Sequence, residues 1–140
     1  MKYFIDTNII IDFLNKKYDA VEILSNIAKN EENEIYINRL VYTESLRTIE
    51  IQNSKIFRKA KETLEVFEKL DINQNIYDEA INFSRFAKSK GINLKGKCEA
   101  IDFIHFICAK FYRLEIVSHD KDFEKLENIY HEFKNFQNLK

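Results

Sequence analysis

Acidic residues from four separate segments stand where the surrounding sequence is apolar. Asp6 interrupts FIDTNIII, Glu44 lies in LVYTESLRTIEI, Asp102 lies in AIDFIHFICA, and Asp120 and Asp122 follow IVSH. Each has an ordinary reading. Asp6 can cap the helix that Asn8 begins, since Asp is a favoured N-cap. Glu44 can sit at the edge of an apolar stripe with its head in water. Asp102 can pair with His105 one turn on, and Asp120 and Asp122 are good turn formers. Asp102 is the sharpest case, because a helix apolar almost all round is a buried one, and a buried carboxylate is costly unless it is paired or binds a metal.

The set as a whole says more than its members. Crowded carboxylates repel and raise one another's pKa, so a folded chain that gathers them needs a neutralising cation. Oxygen-only ligands select hard ions, magnesium or manganese. Such an ion, held by a few carboxylates, takes up phosphate and supports attack of water on a phosphodiester.

The elements that must position these acids follow from apolar spacing. Lys2 to Ile5 is expected as a short buried strand ending at Asp6, and Asn8 to Asn15 as a helix. Asp19 to Lys29, Leu40 to Ile51, Ile56 to Leu70, Ile76 to Lys90 and Glu99 to Tyr112 read as further helices, with Gly91 closing the fourth of these. Glu34 to Ile37 and Glu115 to Ser118 read as strands, Ile72 as the middle of a small one and Ile129-Tyr130 as a last one. Short apolar strands alternating with helices predict an α/β domain with a parallel sheet. Asp6 and Asp120 both fall just past a strand's carboxyl end, where such sheets place their sites.

Composition sets the bounds. The chain has 140 residues, 45% of them hydrophobic, which suits a folded single domain over 1–140. Net charge is −1, so a nucleic acid would need a local basic patch. Arg85, Lys88, Lys90, Lys95 and Lys97 form one with few acids nearby; Lys55, Arg58, Lys59 and Lys61 read instead as the solvated face of a charged helix. Two Gly and no Pro fit a helix-rich chain. Cys98 and Cys108 have neither metal-ligand nor disulfide spacing, and Cys108 reads as core. No long uncharged apolar run and no signal-peptide pattern is present, so a reducing cytoplasm is expected and no membrane.

FIDTNIIID, VYTES, AIDFIHFICA and VSHDKDF, in this order and spacing, resemble a PIN domain over essentially the whole chain, and in size the VapC-type toxins of prokaryotic toxin–antitoxin systems. The resemblance implies a three-layer fold with a central parallel sheet of about five strands flanked by helices. It implies a magnesium- or manganese-dependent endoribonuclease. Asp6, Glu44, Asp102 and Asp120 match the family's catalytic acids, and Asp6, Asp102, Asp120 and Asp122 the metal ligands. Thr7, Asn8 and Ser118, with Lys95 and Lys97, are the expected substrate contacts. His105 and Phe106 depart from the family's aliphatic and small residues, and Ser118 stands for its usual Thr.

An RNA substrate, a cognate antitoxin and a homodimer are the implied partners. Ile9, Ile10, Phe13, Phe57 and Phe67 are apolar candidates for a partner surface, most of them better read as core. Two other readings compete. An aspartyl phosphatase would want a second Asp where Asn8 stands. A catalytically inactive PIN-like RNA- or protein-binding module would have structural acids, against which the intact set of four speaks.

Overall fold

Lys2–Ile5 forms β1, and its last two residues, Phe4 and Ile5, are fully buried. The β-branched and aromatic side chains of this run fit a pleated surface covered by other elements. In the computed structural model, which describes residues 1–95 and 98–139, β1 is followed by α1 (Thr7–Leu14), α2 (Tyr18–Ala28) and β2 (Glu34–Asn38). Then come α3 (Arg39–Leu46), α4 (Ser54–Leu64), β3 (Glu68–Leu70), α5 (Gln74–Ser89), α6 (Glu99–Phe111), β4 (Glu115–Val117) and α7 (Asp122–Asn138).

The expected α/β class and parallel sheet are present. Four strands pair in the order β3-β2-β1-β4, all parallel, with Phe4 opposite both Tyr36 and Ile116. The chain leaves β1 toward β2 and β3 and returns to its other side with β4. The strand order therefore reverses between β1 and β4, and ligand sites of open α/β sheets form at the carboxyl ends beside such a switch.

Two compact units result. The first comprises Met1–Asp71 and Arg113–His119 and holds the sheet with α1 to α4. Within it α1 packs on α2 and α3, and α3 packs on β2 and α4. Ile9, Ile10, Ile37, Val41 and Leu64 are fully buried there, so of the five apolar candidates Ile9 and Ile10 are core, whereas Phe13 and Phe67 are half-buried and Phe57 is exposed.

The second unit comprises Ile72–Tyr112 and the stretch from Asp120 onward, and holds α5, α6 and α7. Its centre is aromatic. Phe83 lies within 5.7 Å, centroid to centroid, of Phe103, Phe106, Tyr130 and Phe133. Edge-to-face and tilted pairs of this kind add to area burial. Cys108 is buried among the apolar residues of α6, as expected, and Cys98 is exposed. No helix among the described residues is long and apolar enough to cross a membrane.

Three expectations need correction. The helix begun at Leu40 ends at Leu46, not Ile51: the Thr48 hydroxyl donates to the Ser45 carbonyl at 2.8 Å, and Ile51 is 95% exposed. The helix carried to Leu70 ends at Leu64, and Glu68–Leu70 is the edge strand β3, taking its structure from pairing with β2; the small strand is thus centred on Lys69 and not on Ile72, which lies past its end. Ile129-Tyr130 belongs to α7, because Phe123, Leu126 and Phe133 are buried at helical spacing around them.

Candidate active site

Asp6 sits at the end of β1 with extended backbone, and its N–H donates to the Val117 carbonyl at 3.0 Å, carrying the β1–β4 pairing one residue further. The side chain does two things at once. Oδ1 accepts the Thr7 N–H at 2.8 Å, which makes Asp6 the N-cap of α1. Oδ2 accepts the Ser118 hydroxyl at 2.7 Å. The cap reading and the functional reading of Asp6 are therefore compatible, and the carboxylate is only 5% exposed.

Ser118 is in turn oriented. Asn8 Nδ2 donates to Ser118 Oγ at 3.1 Å, and Asn8 Oδ1 accepts the His119 N–H at 3.3 Å. A hydroxyl has one proton to give; with an amide N–H on its lone pair, that proton goes to Asp6. The Thr7 hydroxyl donates to Glu44 Oε1 at 2.7 Å, tying α1 to α3. Thr7, Asn8 and Ser118, expected as substrate contacts, thus direct their hydrogen bonds at acids and at one another.

Two residues beside this network were not singled out from sequence. Asn38, fully buried at the end of β2, caps α3 by accepting the Val41 N–H at 2.9 Å, and so fixes the start of the helix that carries Glu44. Asn directly after an apolar strand and before a helix is a readable cap signal. Asp12 lies one turn beyond Asn8 on α1, and its Oδ2 is 3.9 Å from His119 Nε2. That distance is an ion pair only when the imidazole is protonated.

The second unit gathers the other acids. Asp102 stands in the first turn of α6, and Asp120 and Asp122 lie at the entry to α7. One oxygen from each lies within 4.8 Å of the others. Asp102 and Asp120 are half-buried and Asp122 is 4% exposed. The Asp122 N–H donates to Asp120 Oδ1 at 2.9 Å, so the expected turn is present as well. Asp122 Oδ2 accepts the Lys95 N–H at 2.7 Å, and its Oδ1 is 3.2 Å from Lys125 Nζ.

Three carboxylates this close, all offering oxygen, fit a hard divalent cation and fit a soft one poorly. His105 is buried in α6 one turn past Asp102. Among the basic residues, Lys95 is exposed and Lys90 pairs with Glu132 at 2.8 Å. Lys97 lies outside the described residues.

The first unit also carries an apolar groove of about 530 Å³, lined by Phe13, Leu14, Val21, Ile49 and Ile56 among others, with Lys16 and Lys59. Ser45 lines it too, and its buried Oγ has no hydrogen-bond partner among the described residues.

No curated protein matches the sequence. Among solved structures, a chain of the crystal structure of VapBC2 from Rickettsia felis, bound to a DNA fragment from their promoter, is similar with a TM-score of 0.75. The match covers 91% of this chain and 95% of that one at 22% identity, a likeness of fold. The PIN domain model matches residues 3–129, and the chain belongs to the PIN domain family.

Proposed function

We propose that this protein is a magnesium- or manganese-dependent endoribonuclease of the VapC type, the toxin of a type II toxin–antitoxin pair acting in the cytoplasm. The observation that carries the reading is the approach of Asp102 and Asp120, with Asp122 beside them and one oxygen of each within 4.8 Å of the others, in a chain that belongs to the PIN domain family. The fold likeness to a chain of a VapBC complex supports the same reading.

In this account Asp6, Glu44, Asp102 and Asp120 are the catalytic acids, and Asp6, Asp102 and Asp120 keep the ligand roles that their motifs imply. A bound divalent ion supplies charge neutralisation at phosphorus and lowers the pKa of water. The chain's own residues do the rest. The Thr7 hydroxyl holds Glu44 by Oε1, at 2.7 Å, in one orientation for accepting a proton. Ser118 and the Thr7 N–H hold Asp6 by its two oxygens, so its orientation does not depend on the substrate. Lys95, exposed and followed in sequence by Lys97, meets RNA phosphate.

The groove of the first unit supports an antitoxin partner. Its apolar lining with Lys16 and Lys59 suits an amphipathic helix with acidic flanks, and such helices recognise grooves by apolar anchors one turn apart. A homodimer is proposed as the state of the free toxin.

Purified protein incubated with total RNA tests the enzymatic reading. Cleavage is expected with magnesium or manganese, and none is expected with chelator or with the folded Asp102→Asn variant. Cleavage that survives chelator, or that Asp102→Asn retains, would refute it.

A further inference from the structure

Asp122 is one of the three converging acids, yet both of its oxygens are already engaged. Oδ2 takes the backbone N–H of Lys95 at 2.7 Å, and Oδ1 lies 3.2 Å from the Lys125 ammonium. A hydrogen bond to an ionised carboxylate is among the stronger ones, and this carboxylate is 4% exposed. Lys125, on the next turn of α7, gives Asp122 a counter-charge of its own. Asp122 is also the first residue of α7, and its N–H holds Asp120 Oδ1. It therefore joins the backbone at Lys95, the turn that presents Asp120 and the start of the last helix.

We propose that Asp122 is a positioning residue rather than a metal ligand: its carboxylate latches the backbone at Lys95 to the start of α7 and so sets where the exposed Lys95 ammonium meets RNA phosphate. The RNA part rests on the ribonuclease reading. The latch itself needs neither metal nor RNA.

Amide and carboxylate separate the two roles. Asn at position 122 keeps a carbonyl oxygen for the Lys95 N–H but loses the charge that a hard cation requires. A latch tolerates Asp122→Asn and a ligand does not. Asp122→Ala removes both capacities.

The experiment compares wild type, Asp122→Asn, Asp122→Ala and Asp120→Asn as full chains. Manganese affinity is read by paramagnetic resonance titration. Affinity for a single-stranded RNA is read by anisotropy in chelator, and exchange of the Lys95 amide by NMR. Asp122→Asn is expected to keep manganese affinity within about twofold, whereas loss of a true ligand in Asp120→Asn lowers it by at least the roughly tenfold that loss of even an outer-shell partner costs. Asp122→Ala is expected to keep manganese affinity, to speed Lys95 exchange by about 10- to 100-fold, the factor for a lost hydrogen bond to a charge, and to weaken RNA binding. Asp122→Asn should keep Lys95 protection and RNA affinity.

Manganese affinity lost in Asp122→Asn as in Asp120→Asn would make Asp122 a ligand and overturn the proposal. Unchanged Lys95 exchange in a folded Asp122→Ala would overturn it as well. If Asp122→Ala does not fold, the contrast between Asp122→Asn and Asp120→Asn still decides. Absence of manganese binding by wild type would overturn the metal reading, and Lys95 exchange would then decide the latch alone.

Discussion

Ser118→Ala isolates the contact that holds Asp6. The substitution removes one oxygen and its proton from a half-buried position just past β4 and changes no other side chain. It deletes the 2.7 Å bond to Asp6 Oδ2 and the acceptor of Asn8 Nδ2, while the Thr7 N–H at 2.8 Å still holds Oδ1. A hydrogen bond to a charged group contributes about 1.5–3 kcal/mol net, and the retained N–H keeps the loss near the lower end, about 2 kcal/mol. For a chain of this size that corresponds to a drop in Tm of roughly 5–10 °C. Urea denaturation of wild type, Ser118→Ala and Ser118→Thr measures it. Thr restores the hydroxyl, so Ser118→Thr is expected within about 0.5 kcal/mol of wild type. Equal loss in Ser118→Thr and Ser118→Ala, or no loss in either, would refute the reasoning that the hydroxyl orients Asp6.

Two further predictions concern the second unit. Phe83→Ala removes the ring at the centre of four aromatic neighbours, and a fully buried Phe→Ala change costs about 3–5 kcal/mol, so denaturant unfolding should shift by that amount. Burial first, then the nearby Glu79 and Glu127 carboxylates, raise the Tyr130 hydroxyl above its ordinary pKa of 10.0. The folded state thus holds this proton more tightly than the unfolded one. Its contribution to stability is complete below pH 10 and is lost as pH rises through the raised folded value. Tyr130→Phe keeps the ring contacts and should show a shallower fall in unfolding free energy above pH 10 than wild type; parallel curves would contradict this.

Much of this fold is legible in the sequence. β1, α1 and α6 announce themselves because burial imposes long apolar runs, and Asp6 and Asp102 stand out against those runs. β3 does not, because Glu-Lys-Leu has no strand propensity and becomes a strand only by pairing with β2. Ile129-Tyr130 resembles a strand only when its two apolar residues are taken apart from Leu126 and Phe133, which set the helical period. The end of α3 turned on Thr48 bonding a backbone carbonyl, a local competition that apolar spacing does not register.

In the site, residue types were legible and their partners were not. Asn8 and Ser118 lie 110 positions apart, and only the adjacency of β1 and β4 brings them together. Motif matching makes Asp120 a catalytic acid and both Asp120 and Asp122 ligands. The deeper burial of Asp122 and its contacts with Lys95 and Lys125 set it apart.

The most direct test of the central claim is the chemistry of the RNA ends produced by wild-type protein with magnesium. Attack of water on phosphorus with departure of the 3′ oxygen leaves a 5′-phosphate and a 3′-hydroxyl, and this is the predicted result. Products ending in a 2′,3′-cyclic phosphate would mean that the ribose hydroxyl is the nucleophile, and would contradict an account built on carboxylates, a divalent ion and water.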